Sequence, residues 1–388
     1  MEALEVVFWV LAGLVFYTYI GYGILMVLLV KIFGKRKVVD IEEEELPTVT
    51  LFVAAYNEMA YLKEKVGNFK SLDYPKDKVQ ILFVTDGSDD GSEKYLASLP
   101  NVEVQHVSAR GGKIGALNRG FQFVKNEIII YSDANTTLNN KSLKNIVRHF
   151  KNESVGCVAG EKRIIQKEGD NASGAGEGLY WKYESFLKKL DSDFYSAVGA
   201  AGELFAIRKS LHQEVEADTL LDDFIISMRI AAQGMQIVYE SEAYAQELPT
   251  ANVEEELKRK VRISAGGLQS VARLRHLLNI FKYGRLSFMY ISHRVFRWVL
   301  CPLALLFLMG INVSLLGEMI YNLLFVGQVT FYTLAVLGYV NRFNKTQRKM
   351  YLVPFYFAFM NWSVFMGAFR QLKGAQSVLW EKSVRANG

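Results

Sequence analysis

The sequence predicts an α/β domain with a parallel sheet, joined to several membrane-spanning helices. Four short β-branched runs, TVTLFVAAY, VQILFVTDG, VEVQHV and EIIIYSD, are each followed by a stretch with helical spacing. This alternation is typical of a parallel sheet in an α/β domain. Three long apolar runs, at 6–32, 298–340 and 352–369, contain almost no charge. Because 51% of the 388 residues are hydrophobic, part of the chain is expected to lie in lipid.

The first apolar run predicts an N-terminal transmembrane helix over residues 1–34. Glu2 and Glu5 precede the run, whereas a cleaved signal peptide would begin with cations. A basic cluster at 31–37 follows it, so the positive-inside rule predicts an outside N-terminus and a cytoplasmic domain behind the helix. We therefore expect a multi-pass protein of the inner or plasma membrane, with the lipid bilayer as one of its partners.

A charged linker at 35–47 separates this helix from the soluble domain, which is predicted over 48–284. The net charge of +5 comes mostly from Lys and Arg beside the membrane segments, so a nucleic-acid partner is not expected. The two cysteines, Cys157 and Cys301, provide neither a disulfide framework nor zinc-ligand spacing. This suits a reducing cytoplasm.

The C-terminal part is predicted to return to the membrane. Residues 285–340 contain an interfacial start, where the basic stretch HRVFR at 293–297 anchors the chain, and then two transmembrane helices. The segment 351–372 is either a third C-terminal span or an interfacial or re-entrant helix, and we favour the second interpretation. Residues 373–388 form a basic tail that then stays in the cytoplasm.

Polar clusters stand where three of the predicted strands end. They are YNE at 56–58, DGS at 86–88 and SDAN at 132–135. Parallel sheets bind ligands beyond the carboxyl ends of their strands, so these clusters predict a binding site at one edge of the sheet. Each cluster alone is also compatible with an ordinary turn.

Three further features suit a nucleotide diphosphate and a proton transfer. Backbone N–H groups of the glycines at 111–112 can approach an anion, and Lys113 can neutralise it. Asp133 and Asn135 offer oxygen ligands for Mg²⁺ or Mn²⁺. In the Asp222-Asp223 pair, one carboxylate can take a proton from a hydroxyl while its neighbour raises its pKa. The alternative is that this pair only favours a helix N-terminus.

The ordered set of motifs resembles the membrane-bound family-2 glycosyltransferases, the group that includes cellulose, chitin, hyaluronan and poly-N-acetylglucosamine synthases. VAAYNE and VTDGSDDGS look like the family's first two strand signatures, and GGKIGALNRG looks like its GGKxxALNxG motif. SDANT occupies the place of the DxD motif, and LLDDF that of the TED motif. The resemblance covers nearly the whole chain. It implies a Rossmann-like GT-A fold over 48–284, with a nucleotide-binding half at 48–138 and an acceptor half at 139–284.

The resemblance also implies roles for individual residues. Asp86 would read the uracil of a UDP-sugar near Tyr56, Asp223 would be the general base, and Asp222 would be its acidic neighbour. Further nucleotide-sugar contacts are implied at Ala55, Glu58, Lys113 and Asp133. A divalent cation, Mg²⁺ or Mn²⁺, is implied on Asp133 and Asn135. Acceptor or diphosphate contacts are implied at Gly202, Glu203, Arg259, Arg262, Trp380, Lys382 and Arg385. The last three lie in VLWEKSVR, which resembles a gating loop of cellulose-synthase-like members.

The sequence departs from the family pattern at two motifs. Asn135 replaces the second carboxylate of the DxD motif, so one metal ligand has lost its charge. In the QxxRW motif of processive synthases, Arg262 is retained, whereas Arg259 replaces the Gln and Ile263 replaces the Trp. An aliphatic side chain lacks the aromatic face that supports the acceptor sugar in that family. This puts processive synthesis in doubt.

We therefore expect inverting transfer of a sugar from a UDP-sugar to a glycan or lipid-linked acceptor, in the synthesis of a cell-surface polysaccharide or glycoconjugate. A processive β-polysaccharide synthase that translocates its product is one alternative, although so few spans would need a homo-oligomer to form a channel. A transferase whose acceptor is a polyprenyl carrier in the inner leaflet is a second. A catalytically inactive scaffold or binding protein is a third, and Asn135 is its motivation.

Overall fold

The computed structural model describes residues 2–37, 40–165, 172–342 and 349–374. The predicted gating-loop residues Trp380, Lys382 and Arg385 lie outside these ranges. Within the described residues the strands are β1 Val49–Ala55, β2 Val79–Asp86, β3 Glu103–Val107, β4 Ile128–Ser132, β5 Thr137–Leu138, β6 Val155–Ile164, β7 Leu204–Arg208 and β8 Gln236–Glu247.

The helices of the described residues alternate with these strands and then follow them. They are Glu2–Phe33, Met59–Ser71, Ser92–Ala97, Gly112–Phe121, Ser142–Val147, Ala172–Phe194, Asp222–Ala232, Val253–Arg273, Ile280–Tyr283, Arg285–Ser314, Met319–Val340 and Lys349–Leu372. Short 3₁₀ turns lie at Lys76–Lys78, Arg148–Lys151, Lys209–Leu211 and Arg275–Leu278. Two of the long helices contain π-helical stretches, at Tyr17–Gly21 and Ile291–Leu300.

The strands form one mixed sheet in the order β3-β2-β1-β4-β7-β6-β8-β5. The four strands predicted from β-branched runs are its parallel part, because β1 pairs in parallel with β2 and β4, and β2 with β3. Every residue of β1 and β4 is buried, as expected for strands covered on both faces. β7 then runs antiparallel to β4 and extends the sheet toward β6 and β8. The α/β prediction is thus confirmed.

The helix Gly112–Phe121 packs directly on the parallel part of the sheet. Gly120 makes this possible, since a Cβ there would lie 2.3 Å from the Phe52 ring and 2.5 Å from Val84 Cγ2. Only a glycine allows so close an approach between helix and sheet. The contact fixes the N-terminus of the helix, and with it Lys113, beyond the strand ends.

Four of the described helices are long and apolar enough to cross a membrane: Glu2–Phe33, Arg285–Ser314, Met319–Val340 and Lys349–Leu372. The last of these packs closely on the helix Val253–Arg273, and a Cβ on Gly367 would lie 2.7 Å from Ala265 N. Whether this helix spans the bilayer or lies at its surface stays a prediction.

The membrane helices are attached to the α/β domain by buried ion pairs with the helix Ala172–Phe194. Asp191 accepts hydrogen bonds from Tyr22, at 2.6 Å, and pairs with His293, also at 2.6 Å. Glu184 pairs with Arg294 at 2.9 Å and with Arg297. The prediction that the basic residues at 293–297 are interfacial anchors is wrong, because the helix covers them and supplies carboxylates as partners.

Candidate active site

A cavity of about 1020 Å³ opens beyond the carboxyl ends of the parallel strands. Its wall includes Lys113, Asp133, Gly202 and the Asp222-Asp223 pair, which come from four separate segments of the chain. The strand topology brings these segments together, since β4 ends at Ser132 and pairs with β7, which begins just after Gly202. These five sequence-predicted residues therefore line one cavity.

Lys113 lies at the centre of the charged groups. Its Nζ is 3.1 Å from Asp133 Oδ1 and 3.3 Å from Asp222 Oδ2. Burial alone would lower the pKa of Lys113, but Asp133, Asp222 and Asp223 together raise it well above its usual value. The side chain is therefore a fixed ammonium group, which suits the charge of a diphosphate.

Asp86 holds the glycine loop that precedes Lys113. Its carboxylate accepts hydrogen bonds from Gly111 N at 3.0 Å and from Gly112 N at 2.6 Å, and it pairs with Arg119 at 2.7 Å. The side chain is 1% exposed. These contacts engage both carboxylate oxygens, so within the described residues Asp86 positions the loop. Its role in reading uracil stays a prediction.

The end of β1 provides an aromatic surface at the same edge of the sheet. Ala55 ends the strand and is buried, and the ring of Tyr56 follows it. The Arg110 guanidinium lies 3.7 Å from the centre of that ring. Glu58 is buried and lines the cavity. A planar ring supported by a cation is a surface on which a nucleobase can stack.

Asp223 occupies the first turn of the helix Asp222–Ala232. Its Oδ1 accepts a hydrogen bond from Phe224 N at 2.8 Å, which holds the side chain at the cavity. Burial and the neighbouring charge of Asp222 raise the pKa of Asp223 to about 7, although Lys113 opposes this. A carboxylate with a pKa near the working pH is well suited to accept a proton from a hydroxyl.

Gly202 leaves room among the charged groups. A Cβ at this position would lie 3.3 Å from Lys113 Nζ, 3.6 Å from Asp223 Oδ2 and 3.8 Å from Asp133 Oδ2. The space in front of Gly202 therefore adjoins the ammonium group, the candidate base and the candidate metal ligand at once. A sugar bound in the cavity beside Gly202 would be within reach of all three.

Lys65, a residue that sequence reasoning missed, supports the turn that carries Asp133. This buried side chain donates from Nζ to Ser132 Oγ and to Thr136 O, both at 2.7 Å. Burial lowers the pKa of Lys65 to about 7, because few charges oppose the loss of solvent. The turn at 132–136 is thus fixed from behind by an amine.

Asn135 is oriented by Glu247, a residue at the end of β8 that sequence reasoning missed. Asn135 Nδ2 donates to Glu247 Oε1 at 3.0 Å, and the other oxygen of Glu247 is 2.5 Å from Lys162 Nζ. Lys162 is also 2.5 Å from Glu203 Oε1, so Glu203 belongs to this buried network as well as to the cavity wall. An acid at position 135 would face the carboxylate of Glu247.

The residues present fit a divalent cation. Asp133 lines the cavity with a side chain that is 33% exposed, and the amide of Asn135 lines it too. Since Asn135 Nδ2 faces Glu247, the amide oxygen is left for another partner. No cluster of three acidic, His or Cys ligands occurs among the described residues. Mg²⁺ and Mn²⁺ sites of this kind are completed by substrate phosphates and water.

Arg259 and Arg262 differ in their surroundings. Arg259 pairs with Glu177 at 2.6 Å and lies 3.5 Å from Glu203, so it belongs to the buried network. Arg262 lines the cavity, and in the described part of the chain it forms no ion pair or hydrogen bond. Burial lowers the pKa of Arg262, while Asp222 raises it. Arg262 is thus a cation that can face an anionic ligand.

Several known proteins resemble this chain in sequence. Residues 50–216 match the family model described as glycosyl transferase family 2. Poly-β-1,6-N-acetyl-D-glucosamine synthase of Staphylococcus aureus is 25% identical over 254 residues, which are 62% of this chain and 60% of that protein. β-Monoglucosyldiacylglycerol synthase of Trichormus variabilis is 30% identical over 201 residues, 48% of this chain and 41% of that protein. The chain thus spans at most 60% of the length of these two relatives.

A solved structure resembles almost the whole chain. The mannosyltransferase of Pyrobaculum calidifontis, determined with GDP-Man and Mn²⁺, superimposes with a TM-score of 0.72 at 19% identity. The match covers 96% of this chain and 100% of that one. At this identity the similarity concerns the fold, including the helices beyond the α/β domain. The chain therefore contains a family-2 glycosyltransferase domain over residues 50–216 and has the GT-A fold expected of such a domain.

Proposed function

We propose that the protein transfers a sugar from a UDP-sugar to an acceptor hydroxyl, with inversion at the anomeric carbon. The observation that carries the proposal is that Lys113, Asp133 and Asp223 converge at Gly202 on the wall of one cavity. A cation for the leaving diphosphate and a base for the attacking hydroxyl border one space, as a single displacement requires.

In this proposal the donor lies across the strand ends. Its uracil stacks near Tyr56, and its diphosphate contacts Lys113 and Arg262. Asp133 and Asn135 would hold a divalent cation, which would neutralise charge on the leaving diphosphate when bound. Asp86 keeps the loop before Lys113 in place. Lys113, Arg262 and the divalent cation would supply positive charge where negative charge develops.

Asp223 takes the proton of the acceptor hydroxyl. The hydroxyl oxygen forms the new bond to the anomeric carbon, and the bond from that carbon to the diphosphate oxygen breaks. UDP leaves with the bonding electron pair, and the proton stays on Asp223 until solvent removes it. Attack from the face opposite UDP converts an α-linked donor into a β-linked product.

The test is UDP release and label transfer by membranes that contain the protein, with a panel of radiolabelled UDP-sugars and Mn²⁺ or Mg²⁺. We expect Asp223→Asn to bind UDP with the affinity of the native protein and to transfer no sugar. Chelation of the metal should abolish transfer and weaken UDP binding. Equal binding of GDP and UDP would contradict the donor assignment. Substantial turnover by Asp223→Asn would contradict the base assignment.

A processive synthase is the second candidate, since one relative is named as a polysaccharide synthase. Ile263 lines the cavity at the position of the aromatic floor in processive members, which argues against it. Product length on a gel distinguishes the two functions, because long polymer from one enzyme molecule requires processivity. Absence of UDP release with any donor and metal would instead favour a binding or scaffold function.

We also propose that the α/β domain lies on the cytoplasmic side, because Lys31, Lys35 and Arg36 follow the first candidate span. Accessibility of a cysteine introduced at exposed Asp77 to a membrane-impermeant thiol reagent would test this, in sealed vesicles of known orientation.

A further inference from the structure

The active-site cavity extends to the helices that are long enough to cross a membrane. Beyond Asp223 its wall includes Tyr19 and Ile20 of the helix Glu2–Phe33 and Phe357 and Met360 of the helix Lys349–Leu372. One continuous space thus joins a set of carboxylates with apolar side chains of the membrane segment. A small soluble acceptor would need only the first of these two parts.

A second concavity, which we call the apolar groove, opens on the outer face of the protein next to this end of the cavity. It has a volume of about 360 Å³ and lies between the helices Glu2–Phe33 and Ala172–Phe194. Ile24, Leu28 and Phe186 line it, and about half of each side chain surface is exposed. On a helix that can span a bilayer, such a surface faces lipid chains.

The groove and the cavity meet at three shared residues, Tyr19, Ile20 and Tyr183. Tyr19 Oη donates to Asn361 Oδ1 at 3.1 Å, and Tyr183 Oη donates to the carbonyl oxygen of Tyr19 at 2.9 Å. Tyr19 and Ile20 belong to the π-helical stretch Tyr17–Gly21, an irregularity that often marks functional positions. Polar groups therefore begin where the apolar groove ends.

We propose that the acceptor is a lipid with an alcohol headgroup, whose apolar chain lies in the groove and whose hydroxyl reaches Asp223 through the junction at Tyr19. The proposal rests on the proposed function, because it uses the same base and the same displacement. The sequence of surfaces, from apolar groove through the tyrosines to the carboxylates, matches an amphipathic molecule oriented in a bilayer.

The charges favour an alcohol over a phosphate as the attacking group. Lys113 already faces Asp133 and Asp222, and in the proposed function it also holds the diphosphate of the donor. An acceptor phosphate at the position of the attacking group would face the carboxylates of Asp222 and Asp223. A neutral hydroxyl avoids this repulsion and needs a base, which Asp223 provides. Its proton passes to Asp223 as its oxygen bonds to the anomeric carbon and UDP leaves.

The experiment uses the full chain in nanodiscs with radiolabelled UDP-glucose and UDP-N-acetylglucosamine. The discs contain dioleoylglycerol, a glucosyl-dioleoylglycerol or undecaprenyl phosphate, and transferred label is measured in the organic and aqueous phases. We expect label in the organic phase with one of the two alcohols. Label transferred only to undecaprenyl phosphate, or only to a water-soluble glycan, would overturn the proposal. No transfer of any kind would contradict the proposed function and the acceptor assignment together.

Variants with a larger side chain in the apolar groove test whether the lipid chain lies there. Ile24→Trp should lower the rate of transfer to lipid at least fivefold and leave the affinity for UDP unchanged. Leu28→Trp repeats the test one turn away. Val10→Trp is the control, since Val10 is 64% exposed on the same helix and outside the groove. A photoreactive dioleoylglycerol should cross-link to residues 19–28, less so in Ile24→Trp. Equal transfer and cross-linking by Ile24→Trp and Val10→Trp would refute the groove as the lipid site.

Discussion

The amide of Asn135 and the carboxylate of its partner Glu247 can be exchanged to test why position 135 carries an amide. Asn135 Nδ2 is 3.0 Å from Glu247 Oε1. We predict that Asn135→Asp, which restores the acid of the DxD motif, destabilises the protein because it places a carboxylate against that of Glu247. The double variant Asn135→Asp with Glu247→Gln should recover most of the lost stability. It keeps the total charge and restores a hydrogen-bond donor between the two positions.

The distance sets the size of the effect. Two unit charges 3.0 Å apart would repel by about 5 kcal/mol at an effective dielectric constant of about 20. Loss of a buried hydrogen bond adds about 1–3 kcal/mol. Lys162, 2.5 Å from the other oxygen of Glu247, offsets part of the repulsion. We therefore expect Asn135→Asp to lower the free energy of unfolding by about 2–4 kcal/mol, and the double variant by less than about 1 kcal/mol.

The assay is denaturant or thermal unfolding of the purified protein in detergent, for the native chain, both single variants and the double variant. UDP binding at several Mn²⁺ concentrations is measured in parallel. In the double variant UDP binding should reach half its maximum at a lower Mn²⁺ concentration, because position 135 then carries a charged ligand. Full stability of Asn135→Asp alone would refute the reasoning, and so would a double variant no more stable than that single variant.

Three further predictions concern the centre of the site. Asp223→Asn should lower the transfer rate at least about 10³-fold yet raise the free energy of unfolding at pH 8 by up to about 4 kcal/mol, measured against Asp77→Asn. The pKa of Asp223 in the folded protein, about 7, exceeds that of an ordinary Asp, so the native protein loses stability as the pH rises from about 4 to about 7. If the difference in stability between Asp223→Asn and the native protein were the same at pH 5 and pH 8, this would be contradicted. The transfer rate should rise about tenfold per pH unit below 7 and level off above it, and a profile flat from pH 5 to 8 would exclude Asp223 as the base. Gly202→Ala should lower the rate at least tenfold, because its methyl group enters the space beside Lys113, whereas Gly67→Ala has open space and should leave the rate unchanged.

The parallel part of the sheet and the residues that meet at its edge were predictable, because both depend on local sequence patterns. Each β-branched run forms its strand, and the polar residues after β1, β2 and β4 meet because parallel strands end at one edge. Lys113 and Asp223 therefore lie beside one cavity, as the motif order indicates.

The supporting residues could not be predicted, because their contacts join distant parts of the chain. Glu247 reaches Asn135 only through the pairing of β8 with β6 and β5, and β8 carries no motif. Lys162 becomes a partner of Glu203 through the pairing of β6 with β7. The basic residues at 293–297 were predicted to face the membrane surface for the same reason: nothing in their local sequence indicates the carboxylates of a helix about 100 residues earlier.

The ion pairs between the helix Ala172–Phe194 and the membrane helices determine what the smallest stable unit of this protein can be. A fragment cut to the α/β domain would carry Glu184 and Asp191 without Arg294, Arg297 and His293, and it would expose to water the apolar surface that the membrane helices cover. During synthesis the domain likewise lacks these partners until the ribosome has passed residue 297. Glu184 and Asp191 therefore gain these partners only after the second candidate span has begun to emerge.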